Sequence, residues 1–321
     1  MFAVYAAAIN PADPLRGLVV GERPEPVVAD DWVAVSVRAA SVNHHDVWSL
    51  KGVGLPDERL PMILGCDAAG VDPDGREVVV HSVIAPGDYA DETMDPARTL
   101  LSEKHQGTFA EVVVVPRRNV LPKPAALTMA QAACLPTAWL TAYRMLATRS
   151  SLKAGDTVLV QGAGGGVATA AIMLARAMGL RVWVTSRDEA KLQRACEIGA
   201  HEGFPSGARL PDRVEAVVES VGAATWSHSL KSLRPGGEII VTGATSGANP
   251  PADLQRVFFK QLSVIGSTMG TREELQRLMA LCVNTGLRPL IEREIPMAQA
   301  ADAIAEVARG DVFGKIVLTL Q

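Results

Sequence analysis

The segment Val158–Ala168, with the sequence VLVQGAGGGVA, constrains the fold of this chain more than any other feature. A short apolar strand ends in a glycine cluster, and the cluster opens an alanine-rich helical pattern that continues to Met178. Glycine lets the backbone approach a pyrophosphate closely, and a helix N-terminus offers unpaired N–H groups and the positive end of a dipole. Ala168 replaces the third glycine of G-x-G-x-x-G and is small enough for close helix–strand packing. The segment therefore predicts a dinucleotide site, with a plain glycine-rich turn as the alternative. The predicted pyrophosphate contacts are Gly164, Gly165, Gly166 and Val167.

The residues after this segment continue an alternation of strands and helices. Apolar strands are predicted at Arg181–Thr185, Val214–Glu219, Glu238–Thr242 and Leu262–Gly266, with helices at 188–198 and 223–233 between them. Short apolar strands that alternate with helices are typical of a parallel sheet covered on both faces. The sequence therefore predicts a doubly wound Rossmann sheet in the middle of the chain.

The flanking sequence has a different texture. Trp32–Arg38 alternates apolar and polar residues, and further strands are predicted at 76–81 and 109–115. Prolines and glycines interrupt these runs, which indicates an irregular, mostly antiparallel β domain. Residues 88–106 are polar and are predicted to form a surface loop or lobe. The C-terminal part is predicted to hold helices near 273–286 and 297–309 and a final strand at 315–320.

The end of the second Rossmann strand indicates which dinucleotide is bound. An acidic residue there binds the ribose 2′-hydroxyl of NAD and repels a 2′-phosphate. Here Ser186 stands in that place, Arg187 follows, and Lys191 lies one helical turn later. A hydroxyl, a guanidinium and an ammonium suit a phosphate dianion, so NADPH is the predicted cofactor. Asp188 is predicted to cap the next helix. The alternative is that Arg187 is only a solvated surface charge.

Composition narrows the class of partner. The chain has 321 residues, of which 48% are hydrophobic and 21% charged, with a formal net charge of −4. The sequence has no basic patch of the kind that binds nucleic acid. It also has no run of about 18 apolar residues, so no membrane span is predicted. The N-terminus lacks the pattern of a signal peptide, and the four scattered cysteines form neither a C-x-x-C pair nor a disulfide framework. We therefore expect a cytoplasmic protein that acts on a small molecule.

Five ordered motifs resemble those of one enzyme family. They are VRAASVNHHD at 37–46, PMILGCDAAG at 61–70, GTFAE at 107–111, TAY at 141–143 and FGK at 313–315. Together with the glycine-rich segment, they resemble the medium-chain dehydrogenase/reductase superfamily, and in particular its zinc-free quinone oxidoreductases. The resemblance implies an α/β protein with a GroES-like domain formed by residues 1–121 and 268–321. It also implies a Rossmann domain at 122–267 and an active site in the cleft between the two domains.

The same resemblance implies that no metal is bound. Zinc-dependent relatives hold the catalytic ion with Cys, His and Cys, and the matching residues here are Asn43, Cys66 and Thr137. Asparagine and threonine are poor zinc ligands, and one thiol cannot hold the ion. The four cysteines of the structural zinc site are missing from the predicted lobe. The adjacent histidines His44 and His45 have no evident partner ligand.

Without a Lewis acid, alcohol oxidation is difficult, whereas a quinone or enone delocalises the charge that hydride transfer creates. Asn43 is the first candidate for hydrogen bonding to a ligand oxygen or to the nicotinamide ribose, with a loop-capping role as the alternative. His44 or His45 could relay a proton or be structural. Trp48 is predicted to line the pocket or to belong to the core, and Thr137 is predicted to face the cleft. No convincing general acid is found, so water is a possible proton source.

Further cofactor contacts follow from the strand ends and from the resemblance. They form turns after successive strands, flank the nicotinamide, or lie near the adenosine phosphate in the family. These residues are Thr141, Val221, Gly222, Gly243, Ala244, Thr245, Ser267, Thr268, Met269, Phe313 and Lys315.

The sequence thus predicts an NADPH-dependent reductase of quinones or α,β-unsaturated carbonyls. Two alternatives remain open: an enoyl-thioester reductase, and a non-catalytic accessory protein that binds NADPH. Relatives commonly dimerise through edge strands of their Rossmann sheets, so we expect a homodimer that uses the strand Leu262–Gly266.

Overall fold

The structure, a computed structural model, describes residues 1–320. The chain forms two compact units. The discontinuous unit contains Met1–Leu140 and the chain from Met269 onward, and the central unit contains Thr141–Thr268. Residues 122–140 were expected in the Rossmann domain but lie in the discontinuous unit. The reason is that the helix at 129–133 packs on two strands of that unit, at 32–41 and 67–71.

The N-terminal part of the discontinuous unit is mostly β-structure. Its strands are β1 (Phe2–Ala6), β2 (Leu18–Glu22), β3 (Trp32–Ser41), β4 (Met62–Ile63), β5 (Asp67–Val71), β6 (Glu77–Val80), β7 (Val83–Ile84), β8 (Thr99–Leu100), β9 (Val112–Pro116) and β10 (Val120–Pro122). Helix α1 (His44–Leu50) follows β3, and α2 (Met129–Ala133) follows β10. Short 3₁₀ turns lie at Pro14–Gly17, Asp57–Arg59, Glu92–Met94 and Arg117–Asn119, and a π-helical turn spans Leu135–Trp139.

Helix α3 (Leu140–Arg144) and a π-helical turn (Met145–Arg149) lead into the central unit. There the strands and helices alternate as β11 (Thr157–Gln161), α4 (Gly166–Ala177), β12 (Arg181–Ser186), α5 (Glu189–Glu197), β13 (Glu202–Pro205), β14 (Val214–Glu219), α6 (Ala223–Ser232), β15 (Leu233–Val241), α7 (Leu254–Lys260) and β16 (Ser263–Gly266). The chain then returns to the discontinuous unit as α8 (Arg272–Thr285), β17 (Ile291–Pro296), a 3₁₀ turn (Met297–Gln299), α9 (Ala300–Arg309) and β18 (Lys315–Thr319).

The sheet of the discontinuous unit has the order β10-β6-β5-β3-β18-β17, with β9 also paired to β3. Its pairs are antiparallel except β17 with β18, as predicted for an irregular, mostly antiparallel domain. The alternation in β3 is confirmed, because Val33, Val35 and Val37 are buried while Ser36 and Arg38 are exposed. The pairing of β18 with β3 brings the last described strand beside the Val42–Asn43 segment.

The central sheet is parallel, with the order β13-β12-β11-β14-β15-β16. The order runs outward from β11 in both directions. Because parallel crossovers are right-handed, the helices of the two halves cover opposite faces, as in a doubly wound sheet. Ligands of such sheets bind at the carboxyl ends of the strands where the order reverses, here beside β11 and β14. No helix within residues 1–320 is both long and apolar enough to cross a membrane.

Candidate cofactor and active site

The glycine cluster forms the turn between β11 and α4. Gly162 has a φ of 83°, a left-handed conformation that favours glycine, and Gly165 precedes α4 as its N-cap. Gly165 is exposed, and a Cβ built on it would meet nothing within 4 Å. The backbone N–H groups of the first turn of α4, from Gly166 onward, are unused by the helix itself. This end of α4 is therefore open and suited to binding an anion.

The turn after β14 is held by a buried carboxylate that sequence reasoning missed. Glu219 is fully buried and accepts hydrogen bonds from the backbone N–H of Val221 at 2.8 Å and of Gly222 at 3.0 Å. The hydroxyls of Thr225 and Ser229 also donate to it, at 2.9 and 2.6 Å. Gly222 has a φ of 90°, and a Cβ there would clash with the Gly247 carbonyl oxygen. An acidic residue at the end of an apolar strand, directly before S-V-G, was the signal available in the sequence.

The turns after β14, β15 and β16 lie side by side. Ser246 N donates to Val221 O at 2.7 Å, and Ser267 N donates to Val241 O at 2.8 Å. A Cβ at Gly243 would approach the Ser220 carbonyl oxygen to 2.9 Å, so this turn also requires glycine. The sheet therefore gathers a group of predicted contacts at one edge: Val221, Gly222, Gly243, Ala244, Thr245 and Ser267. The hydroxyl of Ser267 is buried and has no hydrogen-bond partner within residues 1–320.

The end of β12 carries the residues predicted to distinguish the two dinucleotides. Ser186 lies at the last position of β12, and its hydroxyl accepts a hydrogen bond from Asp188 N at 3.0 Å. Arg187 is exposed. The predicted capping role of Asp188 is confirmed, because its carboxylate accepts from Lys191 N at 3.2 Å. Lys191 thus lies in the first turn of α5, close in sequence to the two residues of the strand end.

Asn43 lies in a buried polar cluster of the discontinuous unit. Its Nδ2 donates to Asp67 Oδ2 at 2.8 Å and to Ser41 O at 3.2 Å. Its Oδ1 accepts from Lys315 Nζ, which also donates to Val42 O at 2.7 Å. Ser41 Oγ donates to Asp67 Oδ2 at 2.6 Å. Both amide protons of Asn43 are therefore used within the protein, and its predicted hydrogen bond to a ligand would have to replace one of these.

This cluster corrects the prediction for the C-terminal motif. Lys315 was expected near the adenosine phosphate, but only 2% of the residue is exposed, and its ammonium lies 3.6 Å from Asp67 Oδ2. Phe313 was also expected at the cofactor, yet it is fully buried. The reason is the pairing of β18 with β3, which turns Lys315 inward toward Val42 and Asn43. We therefore no longer assign Phe313 and Lys315 to the cofactor.

Asp46 lies directly beneath the cluster, in the first turn of α1. Its carboxylate accepts from Asn43 N at 2.8 Å and from Gly65 N at 3.1 Å, so it fixes the start of the helix. Burial raises the pKa of Asp46 to about 7, and these hydrogen bonds and the Lys315 ammonium only partly offset it. Sequence reasoning passed over Asp46, although it belongs to the motif that suggested Asn43.

The predicted histidines lie in the first turn of α1 and are half-buried. His44 packs edge-on against Trp48, with ring centroids 5.3 Å apart, and His45 Nε2 lies 3.5 Å from Ser49 Oγ. Burial lowers the pKa of both imidazoles, and the Lys51 ammonium lowers that of His44 further. Both are therefore neutral at pH 7. Trp48 is half-buried, and the Lys51 ammonium lies 5.1 Å from its ring centroid.

The remaining predicted site residues lie in different surroundings. Thr137 lies in the π-helical turn that packs on β5, and its hydroxyl is buried with no hydrogen-bond partner in the described chain. The Cys66 thiol donates to Leu101 O at 3.2 Å, and burial raises its pKa well above the usual value. No group of three or more His, Cys, Asp or Glu residues between 1 and 320 is arranged to hold a metal ion. Thr141 is buried in α3, Thr268 is exposed, and Met269 has a left-handed φ of 48°.

Comparisons with known proteins agree with this architecture. Residues 29–125 match the alcohol dehydrogenase GroES-like domain, and residues 166–284 match the zinc-binding dehydrogenase family. The quinone oxidoreductase of Homo sapiens is 30% identical over 315 residues, which cover 92% of this chain and 91% of that protein. The crystal structure of an NAD-dependent alcohol dehydrogenase superposes with a TM-score of 0.92, at 33% identity and full coverage of both chains. The 2-octenoyl-CoA carboxylase reductase CinF, solved with NADP and 2-octenoyl-CoA, superposes with a TM-score of 0.90 at 25% identity, over 99% of this chain and 87% of that one.

Proposed function

Because the chain belongs to the medium-chain dehydrogenase/reductase superfamily, we propose that it is an NADPH-dependent reductase of quinones or α,β-unsaturated carbonyls that works without zinc. The chain is an oxidoreductase with the predicted fold class, a GroES-like domain together with a Rossmann domain. The observation that carries the proposal is the edge of the central sheet, where the open helix start at Gly165 and the turns after β14, β15 and β16 meet.

The residues at this edge fit a dinucleotide. Gly165 leaves open space over the first turn of α4, where a pyrophosphate would accept hydrogen bonds from backbone N–H groups. The buried hydroxyl of Ser267 lacks a protein partner, as expected for a group that bonds to a ligand. When bound, the nicotinamide supplies the hydride, while the protein orients it and excludes water.

NADPH is favoured over NADH by charge. Ser186 stands where NAD-specific sheets carry a carboxylate, and the exposed guanidinium of Arg187 follows it. A 2′-phosphate would gain a hydroxyl and a cation there, while the neighbouring Asp188 carboxylate is engaged in capping α5. The relatives include one named as NAD-dependent and one solved with NADP, so the chemistry of these two residues is the basis of our choice.

The proposed zinc independence rests on side-chain chemistry. At the three positions that match zinc ligands in the family, Asn43 has committed its amide protons to Asp67 and Ser41, and Thr137 offers only a hydroxyl. Cys66 holds its thiol proton, because burial raises its pKa. A neutral amide, a hydroxyl and a thiol do not form a zinc site.

Thr137 is the best candidate to contact the substrate oxygen. Its buried hydroxyl has no partner among the described residues, so it can donate to the oxygen that gains charge as hydride arrives. Asn43 is reassigned to positioning, because it joins Ser41, Asp67 and Lys315 into one hydrogen-bonded group. His44 and His45 remain proposed proton relays, and Trp48 remains a proposed pocket residue.

A second candidate, an enoyl-thioester reductase, is favoured by one observation. CinF, which was solved with 2-octenoyl-CoA, shares the fold over nearly the whole chain. An enoyl thioester is itself an α,β-unsaturated carbonyl, so the same hydride chemistry serves both candidates.

The test is the loss of absorbance at 340 nm with NADPH and with NADH, using a quinone, an enone and a 2-enoyl-CoA as acceptors. We expect turnover with NADPH and weak turnover with NADH. Ser186→Asp should reverse the preference by roughly tenfold or more, because it adds a carboxylate beside the phosphate position. Thr185→Ser, one residue earlier on the same strand, is the matched control. Equal rates with both dinucleotides would contradict the NADPH assignment, and a stoichiometric equivalent of zinc after chelator washing would contradict zinc independence.

We also propose a homodimer formed through β16. This strand is an edge of the central sheet, and its residue Val264 is 51% exposed. The neighbouring α7 exposes Leu254, Phe258 and Phe259. An apolar surface beside an unpaired strand edge favours association with a second copy of the chain. Val264→Lys should convert a dimer to a monomer in sedimentation velocity, whereas Val27→Lys, at an exposed position of the discontinuous unit, should not. A monomeric wild-type protein at micromolar concentration would exclude this dimer.

A further inference from the structure

A buried histidine that the proposed function does not use lies at the end of β6. His81 is 1% exposed, and its Nε2 lies 3.0 Å from the carbonyl oxygen of Gly270. Because a carbonyl oxygen can only accept, Nε2 must carry the proton. The backbone of His81 is itself fixed by Asn119, whose O accepts from His81 N and whose Nδ2 donates to His81 O, both at 2.8 Å. The imidazole therefore projects from a rigid support.

The carbonyl that His81 holds lies just after the chain returns from the central unit. Met269 has a left-handed φ of 48°, which is unfavourable for a residue with a Cβ, and Gly270 follows it. A Cβ at Gly270 would lie 2.6 Å from Leu140 Cγ, so the backbone packs closely there. The strained turn needs external support to persist.

A second buried side chain supports the same segment. Glu92 Oε1 accepts a hydrogen bond from Arg272 N at 2.5 Å and lies 3.8 Å from His81 Nδ1. Burial lowers the pKa of His81, while Gly270 O and Glu92 raise it and the cations Arg272 and Arg118 lower it further. The imidazole is therefore neutral at pH 7, with its one proton directed at Gly270.

We propose that His81 is a positioning residue for the nicotinamide end of the cofactor site. By holding Gly270 O, it fixes the strained turn and so the placement of Ser267–Met269, the segment whose buried Ser267 hydroxyl lacks a protein partner. The inference rests on the proposed function, because it assumes that a nicotinamide is bound beside this segment. In the cofactor-free protein, the inference implies that His81 keeps residues 267–274 ordered.

The test compares His81→Leu, which removes the donor, with His81→Gln, whose side-chain amide can still donate. In the cofactor-free protein, amide hydrogen exchange at 267–274 should be faster in H81L and restored in H81Q. NADPH affinity, measured by titration calorimetry, should fall about tenfold in H81L, because binding must then order the turn that His81 no longer holds. The affinity for 2′-phospho-ADP-ribose, which lacks the nicotinamide, should stay within about twofold of wild type.

His105→Leu is the matched control, because this half-buried imidazole of the same unit packs at a tilt against Trp32, away from Gly270, and its loss should leave all three measurements unchanged. Unchanged exchange and NADPH affinity in H81L would overturn the inference, as would an equal loss of affinity for both ligands. If H81L does not fold, Glu92→Leu and Glu92→Gln are compared by the same three measurements. Only the glutamine can still accept the hydrogen bond from Arg272 N, so only Glu92→Leu should release the segment. A wild-type protein that binds neither dinucleotide would overturn both the proposed function and this role of His81. If the wild-type protein binds NADPH and H81L binds it equally well, only the role of His81 is overturned.

Discussion

Replacing Lys315 by methionine distinguishes the two roles considered for this residue. The ammonium is almost fully buried, donates to Val42 O and Asn43 Oδ1, and lies 3.6 Å from Asp67 Oδ2. After K315M, Asp67 keeps its bonds from Ser41 and Asn43, but its negative charge is buried without a cation. Asp67 Oδ1 already has no hydrogen-bond partner in the described chain.

Removing one partner of a buried ion pair typically costs about 3–5 kcal/mol. We therefore expect K315M to lower the free energy of unfolding by about 4 kcal/mol and the melting temperature by roughly 6 °C. Adding D67N should recover about half of this loss, because an asparagine can accept the same two hydrogen bonds without a charge. The assay is urea unfolding of the cofactor-free protein, followed by tryptophan fluorescence.

Lys104→Met is the matched control, since Lys104 is exposed in the same unit and its loss should change stability by less than about 0.5 kcal/mol. If K315M also stays within that range while NADPH affinity falls tenfold or more, the cluster account is wrong and Lys315 contacts the phosphate. An additive D67N/K315M double variant would equally refute the coupling between the two charges.

Three further predictions concern pH, a strand-end turn and the glycine cluster. Because the pKa of Asp46 is raised to about 7 in the folded protein, folding favours its protonated form, and the free energy of unfolding should fall by about 2–3 kcal/mol from pH 5 to pH 7. Urea titrations of D46N should lack this effect. Glu219→Leu leaves the N–H groups of Val221 and Gly222 unpaired and should destabilise by about 3 kcal/mol in urea, against about 1 kcal/mol or less for Glu219→Gln; equal losses would contradict the turn-holding role. Gly165→Ala meets open space at a φ of −68°, so unfolding should shift by less than about 0.5 kcal/mol while NADPH affinity in calorimetry falls several-fold; unchanged affinity would move the pyrophosphate elsewhere.

The sequence alone determined the features that depend on local pattern. The period of two in Trp32–Arg38, the glycine cluster after β11 and the capping aspartate at 188 each express the conformational preferences of a few neighbouring residues. The same short-range signals predicted the parallel sheet and its edge strand near 262–266. Most element boundaries moved by a residue or two, as helix ends and strand ends commonly do, but the strand predicted at 238–242 begins at Leu233 and the one predicted at 109–115 begins at Val112.

Tertiary structure decided which polar groups meet. Lys315 and Asn43 are 272 residues apart and become partners only because β18 pairs with β3, which is why we no longer assign Lys315 to the phosphate. His81 and Gly270 are 189 residues apart, and nothing near His81 in the sequence indicates its partner. Glu219 holds a turn that the sequence suggested only as glycine-rich. A buried polar side chain must find its hydrogen bonds wherever the fold brings a donor or acceptor, and that is set by long-range packing rather than by sequence neighbours.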